Sequence, residues 1–267
     1  PYFDDFDETK QFHRVLFKAA IPVQARELTQ LQSVLQNQIE RFGTNIFKEG
    51  TTISGADLYE IEGLSYIKLD DNLSGLPEGT TSITQYTPRY ATEEDVQTSA
   101  QGDGSIQEGD YITFTIVGST SGLTAEIVSA SDGFVTRNPD LKTFYIKYTG
   151  TSTGEDATQS VFDSGEQITI IDPFGNTVGN VTTSTLSDYQ GKSKGVGITD
   201  GVIFQKGQFL YVEPQTLIVS KYNENANDVA VGFSVFESIV NANQDETLLD
   251  NAQGYPNKNA PGADRLK

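Results

Sequence analysis

The chain has no cysteine, no methionine and no tryptophan, and only one histidine among 267 residues. Without cysteine there is no disulfide framework, no thiolate zinc site and no cysteine nucleophile. One histidine cannot build a multi-histidine metal site, and His13 has no nucleophile beside it. It reads as a structural residue, hydrogen-bonded at a packing surface. Basic residues are scarce: 18 against 37 acidic ones, for a net charge of −19. Such a surface repels phosphate backbones and anionic headgroups, which argues against nucleic acid or a membrane surface as partner. No apolar run approaches the roughly 20 residues of a membrane-spanning helix, so no membrane insertion is expected. The first residues are acidic (Asp4, Asp5, Asp7, Glu8) and do not form a signal peptide. Pro1 stands where an initiator methionine would, and the polar ending at Lys267 has no termination character. The start is expected to have been processed or to lack a few residues, and the protein is expected to continue past Lys267.

Catalytic patterns are missing as well. No serine sits in a nucleophile-elbow sequence, and a Ser-His-Asp arrangement would have to use His13. There is no phosphate-binding Gly-Lys-Ser/Thr loop. The glycine pairs Gly102/Gly104 and Gly195/Gly197 lie in β-rich sequence, without the strand, loop and helix of a dinucleotide site. Adjacent carboxylates occur at Asp4/Asp5, Asp70/Asp71, Glu93/Glu94/Asp95 and Asp245/Glu246. With so many acids, chance adjacency on a solvated surface accounts for them. A glycosidase pair would need two carboxyls about 5–9.5 Å apart across a sugar site, and the 12-residue loop spacing of a calcium-binding EF-hand is missing. No catalytic residue, metal ligand or cofactor is assigned.

What is present begins with one helix. Over residues 23–47, Leu28, Leu31, Leu35, Ile39, Phe42 and Ile46 recur at helical spacing and form one apolar stripe. Pro22 suits the helix start, and Gly43 is placed to end or bend it. The opposite face carries Gln24, Glu27, Gln36, Asn37, Glu40 and Arg41. Before the helix, residues 1–21 read as an extended arm in which Tyr2, Phe3, Phe6, Phe12, Leu16 and Phe17 alternate with acids. An aromatic terminus of this kind docks on its own fold or on a neighbouring chain.

The rest reads as β. Short β-type runs at 59–61 and 66–69 lead to a turn at 70–72. From about residue 90 to 187, Thr, Ser, Gly and Asp dominate, and strands recur at 111–116, 123–128, 143–148 and 167–171. This stretch predicts a small inserted β-barrel or sandwich. Apolar runs at 202–204, 208–212, 215–219 and 229–240 predict a sheet shared with residues 48–85. The expected fold class is mainly β with one long N-terminal helix: an antiparallel sheet domain carrying a β insertion. The expected divisions are 1–47 for arm and helix, 48–89 with 188–267 for the sheet domain, and 90–187 for the insertion.

Three stretches carry a resemblance. The first joins residues 2–7, 12–17 and 22–32. The second is 201–209, from Gly201 through Phe204 to Phe209. The third runs from Gly232 and Phe233 through 237–240 and 248–254 to 260–266. Together they resemble the N-terminal region of a virion protein family of tailed bacteriophages. The family is known largely as a domain of unknown function and is common in contractile-tailed phages, including cyanophages. The resemblance implies a structural tail subunit, of the baseplate or of the attachment of tail fibres, assembled in the host cytoplasm and located in the virion. It implies no catalysis and no cofactor. Other tail proteins and further copies of the chain are the implied partners, and a trimer built on the helix is one such state. The helix stripe and the arm aromatics are then the candidate interface. Two other roles fit a tail protein: receptor or glycan binding through Tyr86, Tyr90 and Tyr189, and glycan degradation by paired carboxylates.

Overall fold

The computed structural model describes residues 4–70, 72–91, 107, 109–133, 140–151, 161–226, 228–250 and 256–267. The chain forms two compact units, Pro1–Ala226 and Asn227–Lys267.

In the first unit a 3-10 turn, Glu8–Lys10, precedes the helix α1 (Ala25–Ile46). Three strands precede the stretch expected as an insertion, β1 (Thr51–Gly55), β2 (Leu58–Glu60) and β3 (Ser65–Lys68); β4 (Arg89–Tyr90) lies at its start and β5 (Tyr111–Ile112) within it. Next come β6 (Thr115–Gly118), β7 (Leu123–Ser131), β8 (Thr143–Thr151), β9 (Gln167–Ile171) and β10 (Thr177–Thr182). The unit ends with β11 (Gln190–Lys192), β12 (Lys194–Ile198), β13 (Gly201–Gln205), β14 (Gln208–Val212) and β15 (Gln215–Ser220).

The largest sheet has seven strands in the order β10-β9-β6-β7-β8-β3-β11, and every neighbouring pair is antiparallel. The period-two rule of a strand is plain in β7, where Leu123, Ala125 and Ile127 are buried and Thr124 and Glu126 are half-buried. Ile67, Ile116, Ile127, Phe144, Ile146, Phe162, Ile168 and Ile170 all reach zero exposure in one cluster. Each such side chain stabilises the fold by about 1.5–3 kcal/mol relative to staying in water.

The fold is mainly β and antiparallel with one long N-terminal helix, as the sequence predicts. One detail differs. Among the described residues no barrel closes: the sheet is open, ending at β10 and β11. It also incorporates β3 and β11 from the flanking sequence, so the strands of residues 115–182 continue a sheet whose other edge is built by residues 65–68 and 190–192.

Two three-stranded sheets complete the unit, β1-β13-β14 and β15-β12-β2. Each takes one strand from before residue 61 and two from after 193, which is the pairing expected between 48–85 and the later apolar runs. Lys206 and Gly207 both have positive φ between β13 and β14. That is the two-residue turn whose twist matches an antiparallel hairpin. The buried cluster beneath these strands is small: Ala56, Ile198, Ile203 and Val212.

The second unit carries β16 (Ile239–Val240), β17 (Leu249–Asp250), β18 (Asn257–Pro261) and β19 (Arg265–Leu266), paired as β16-β19 and β17-β18. The apolar run at 229–240 is therefore strand only at its last two residues. Val229, Phe233 and Phe236 are exposed and, among the described residues, have no neighbouring strand to share a ladder with. The run at 111–116 is likewise split, because β5 ends at Ile112 and pairs with β4 while β6 joins the large sheet.

Candidate functional site

The helix starts at Ala25, two residues later than the sequence suggests. The N–H of Gln24 donates to the Glu27 carboxylate at 2.8 Å, closing one of the free donors of the first turn. Gly43 does not end the helix, which continues to Ile46. A Cβ at Gly43 would lie 2.3 Å from a ring carbon of Phe204. Glycine is needed there so that β13 can approach the helix. Phe204 also contacts Phe47 and Phe209, at ring-centroid distances of 5.9 and 5.3 Å.

The acidic arm lies along the polar side of α1. Asp5 pairs with Arg26 at 3.4 Å, Asp4 accepts a hydrogen bond from Ser33, and Glu8 pairs closely with Arg41. The Arg41 guanidinium holds the Glu8 carboxyl below its ordinary range. In the arm, then, acids make these contacts rather than the aromatics the sequence singled out. Phe6 is half-buried, while Phe12, Leu16 and Phe17 are exposed. Tyr2 and Phe3 lie outside the described residues. His13 is exposed and not at a packing surface.

The apolar stripe points away from this arrangement. Leu28, Leu35, Ile39, Phe42 and Ile46 are 53, 55, 49, 61 and 58% exposed, and Leu31 is half-buried. The buried residues of α1 are Val34 and Gly43, neither of them in the stripe. The helix thus rests on the chain through its polar side, its glycine and one valine. Five large side chains are left with about half their surface in water.

The tyrosines expected as sugar platforms divide differently. Tyr86 is 2% exposed and packs edge-on to Phe114 and Phe144 inside the core. Tyr189 donates its hydroxyl to the Phe162 carbonyl at 3.0 Å, and burial raises its pKa. Tyr90 alone reaches a surface cluster. Its ring meets Tyr111 edge-on at 5.5 Å, and its hydroxyl lies 3.5 Å from that of Tyr211. That hydroxyl contact and desolvation push the Tyr90 pKa up to about 12. Tyr111 and Tyr211 are exposed. Sequence reading missed this cluster because its members are up to 121 positions apart and nothing local marks them.

The carboxylates have structural tasks. Asp245 accepts from the Thr247 N–H at 3.0 Å and caps a 3-10 turn. Glu166, 3% exposed, accepts from the N–H groups of Thr120, Ser121 and Asp163 and from the Ser121 hydroxyl, at 2.6 to 2.9 Å. Asp71, residues 93–95 and residues 102–104 lie outside the described residues. Gly195 and Gly197 are strand residues of β12. Among the described residues no three His, Cys, Asp or Glu side chains group as a metal site, and no helix is long and apolar enough to cross a membrane.

A family model described as a domain of unknown function (DUF4815) matches residues 1–71 and 182–267. The matched residues include the arm, α1, the strands β1 to β3 and β11 to β15, and the second unit. The unmatched residues, 72–181, include β4 to β9 and most of β10. No curated protein and no solved structure matches the chain.

Proposed function

We propose that this chain, which belongs to the DUF4815 family, is a non-enzymatic structural subunit of a bacteriophage tail, acting in the baseplate or in the attachment of tail fibres. One observation carries the role: the apolar stripe of α1 is turned away from the chain's own body. Half-exposed Leu, Ile and Phe side chains in a row gain on the order of 1 kcal/mol each when a neighbour covers them. An uncovered patch of this kind marks an interaction surface. The phage setting rests on the resemblance of both terminal regions to tail proteins. On this reading the protein is assembled in the host cytoplasm and resides in the virion, with other tail proteins and further copies of itself as partners. Contacts in such a particle are large and obligate, of about 2,000 Å² or more.

The test is incorporation. Leu35→Asp puts a charge in the middle of the stripe without touching the buried Val34 and Gly43. The expected result is a folded chain, judged by circular dichroism, that is missing from purified tails by mass spectrometry. A variant that enters tails as well as the wild type overturns the assembly role of the helix.

A further inference from the structure

We infer that α1 forms a parallel, in-register coiled coil with further copies of this chain. The inference rests on the reading of α1 as the assembly element and names its partner.

The stripe fits a heptad repeat. Leu28, Leu35 and Phe42 fall every seven residues at position d, and Gln32, Ile39 and Ile46 fall every seven at position a. The helix spans 22 residues, about three heptads. The apolar members of this seam are the five large side chains left about half exposed. The chain's own contacts come from other positions: Val34 and Arg41 at c, Arg26 and Ser33 at b, Gly43 at e.

Charge selects the occupant. Each copy carries a net −19 and repels every other copy. The four charged residues of α1 are Arg26, Glu27, Glu40 and Arg41, all at b or c. The a and d positions and the e and g positions that flank them hold no charge. A charge-free corridor on a strongly acidic molecule is what a second copy of the same molecule requires. A basic partner would be matched by acids at e and g, and these are absent.

Gln32 selects the direction. In a parallel, in-register pair its amide meets the same amide of the partner copy, and each satisfies the other. In an antiparallel pair, with Leu35 facing Ile39, Gln32 would lie against Phe42 and its amide would be left unpaired. Ile at a with Leu at d favours two strands.

Light scattering on the whole chain at its highest soluble concentration tests the association. The expected mass is at least twice 29.1 kDa, falling to the single-chain value in Leu35→Asp with unchanged circular dichroism. The absence of native cysteine makes the direction readable. Gln32→Cys should yield a disulfide-linked pair under mild oxidation, because only a parallel register brings position 32 to its own copy. A wild-type mass of 29.1 kDa overturns the inference. So does an associated Gln32→Cys chain that does not cross-link. If the wild type is monomeric yet Leu35→Asp is still excluded from tails, self-association fails and the assembly role stands, with a different protein covering the stripe.

Discussion

In the seven-stranded sheet, Ile67, Ile116, Phe144 and Ile146 have no exposed surface; on α1, Leu35, Phe42 and Ile46 keep more than half of theirs. The residue types are the same and the chain is the same. What differs is where the partner comes from. The sheet finds its partners within the chain, across antiparallel registers such as Ile127 opposite Ile146. The helix finds acids for its polar side and a phenylalanine ring for its glycine, and it buries one valine, Val34. The division follows the family match. Residues 72–181, outside the match, supply five of the seven strands of the large sheet, while α1 lies inside it. The family match therefore covers the helix whose stripe faces outward, and the unmatched stretch mostly builds its own core.

The sharpest way to break this contrast is to cut into the sheet. Phe144→Ala removes a ring with zero exposure at the centre of the cluster, and should cost about 3–5 kcal/mol in denaturant unfolding. A loss below about 1 kcal/mol would mean that the sheet is no better packed than the helix surface.

Glu166→Ala should come next. The carboxylate gathers three backbone N–H groups and a hydroxyl beneath the turn before β7. Removing it leaves those donors without an acceptor, for a cost of about 3 kcal/mol. Unchanged unfolding would show that water reaches the site and that the enclosed half of the comparison is overstated.

A smaller effect is tied to pH. Burial opposes ionisation of Asp132. Hydrogen bonds from the Ser82 hydroxyl and the Ile83 N–H, with Lys142 nearby, outweigh it and lower its pKa. A carboxylate whose folded pKa lies below its unfolded value stabilises the fold above the unfolded pKa, and that contribution is lost as pH falls through the folded one. The carboxylate is partly solvated, so the contribution is at most about 1 kcal/mol. In urea titrations, wild type and Asp132→Asn should converge as the pH drops below the ordinary carboxylate range of about 4. A gap that persists to the lowest pH would assign the effect to the amide's geometry and not to charge.

The sheet was legible because β-branched and aromatic runs bounded by turn residues, as at 123–128 and 143–148, are a local signal. The helix was legible for the same reason, since the stripe recurs every three or four residues. Which way the stripe faces was not legible. Periodicity says that one face is apolar and is silent on whether the cover belongs to the same chain. The arm shows the same limit: its aromatics drew attention, but Asp4, Asp5 and Glu8 make the contacts with α1 because Ser33, Arg26 and Arg41 happen to line that side. Tyr86 was a candidate sugar platform, yet Phe114 and Phe144, 28 and 58 positions later, enclose it in the core. Contacts between distant positions leave no local pattern.

The smallest expected effect tests the helix side of the comparison most directly. Leu35→Gln exchanges a half-exposed leucine for a residue of nearly equal helix propensity. Measured at a dilution where copies do not associate, its unfolding free energy should stay within about 0.5 kcal/mol of wild type. The same exchange at Ile146, with no exposed surface, would strand an amide in the core. If Leu35→Gln cost more than about 1.5 kcal/mol in the single chain, Leu35 would be packed against its own fold, because an exposed surface position does not lose that much. The stripe would then be a second core, and α1 would have no free face to offer to another chain.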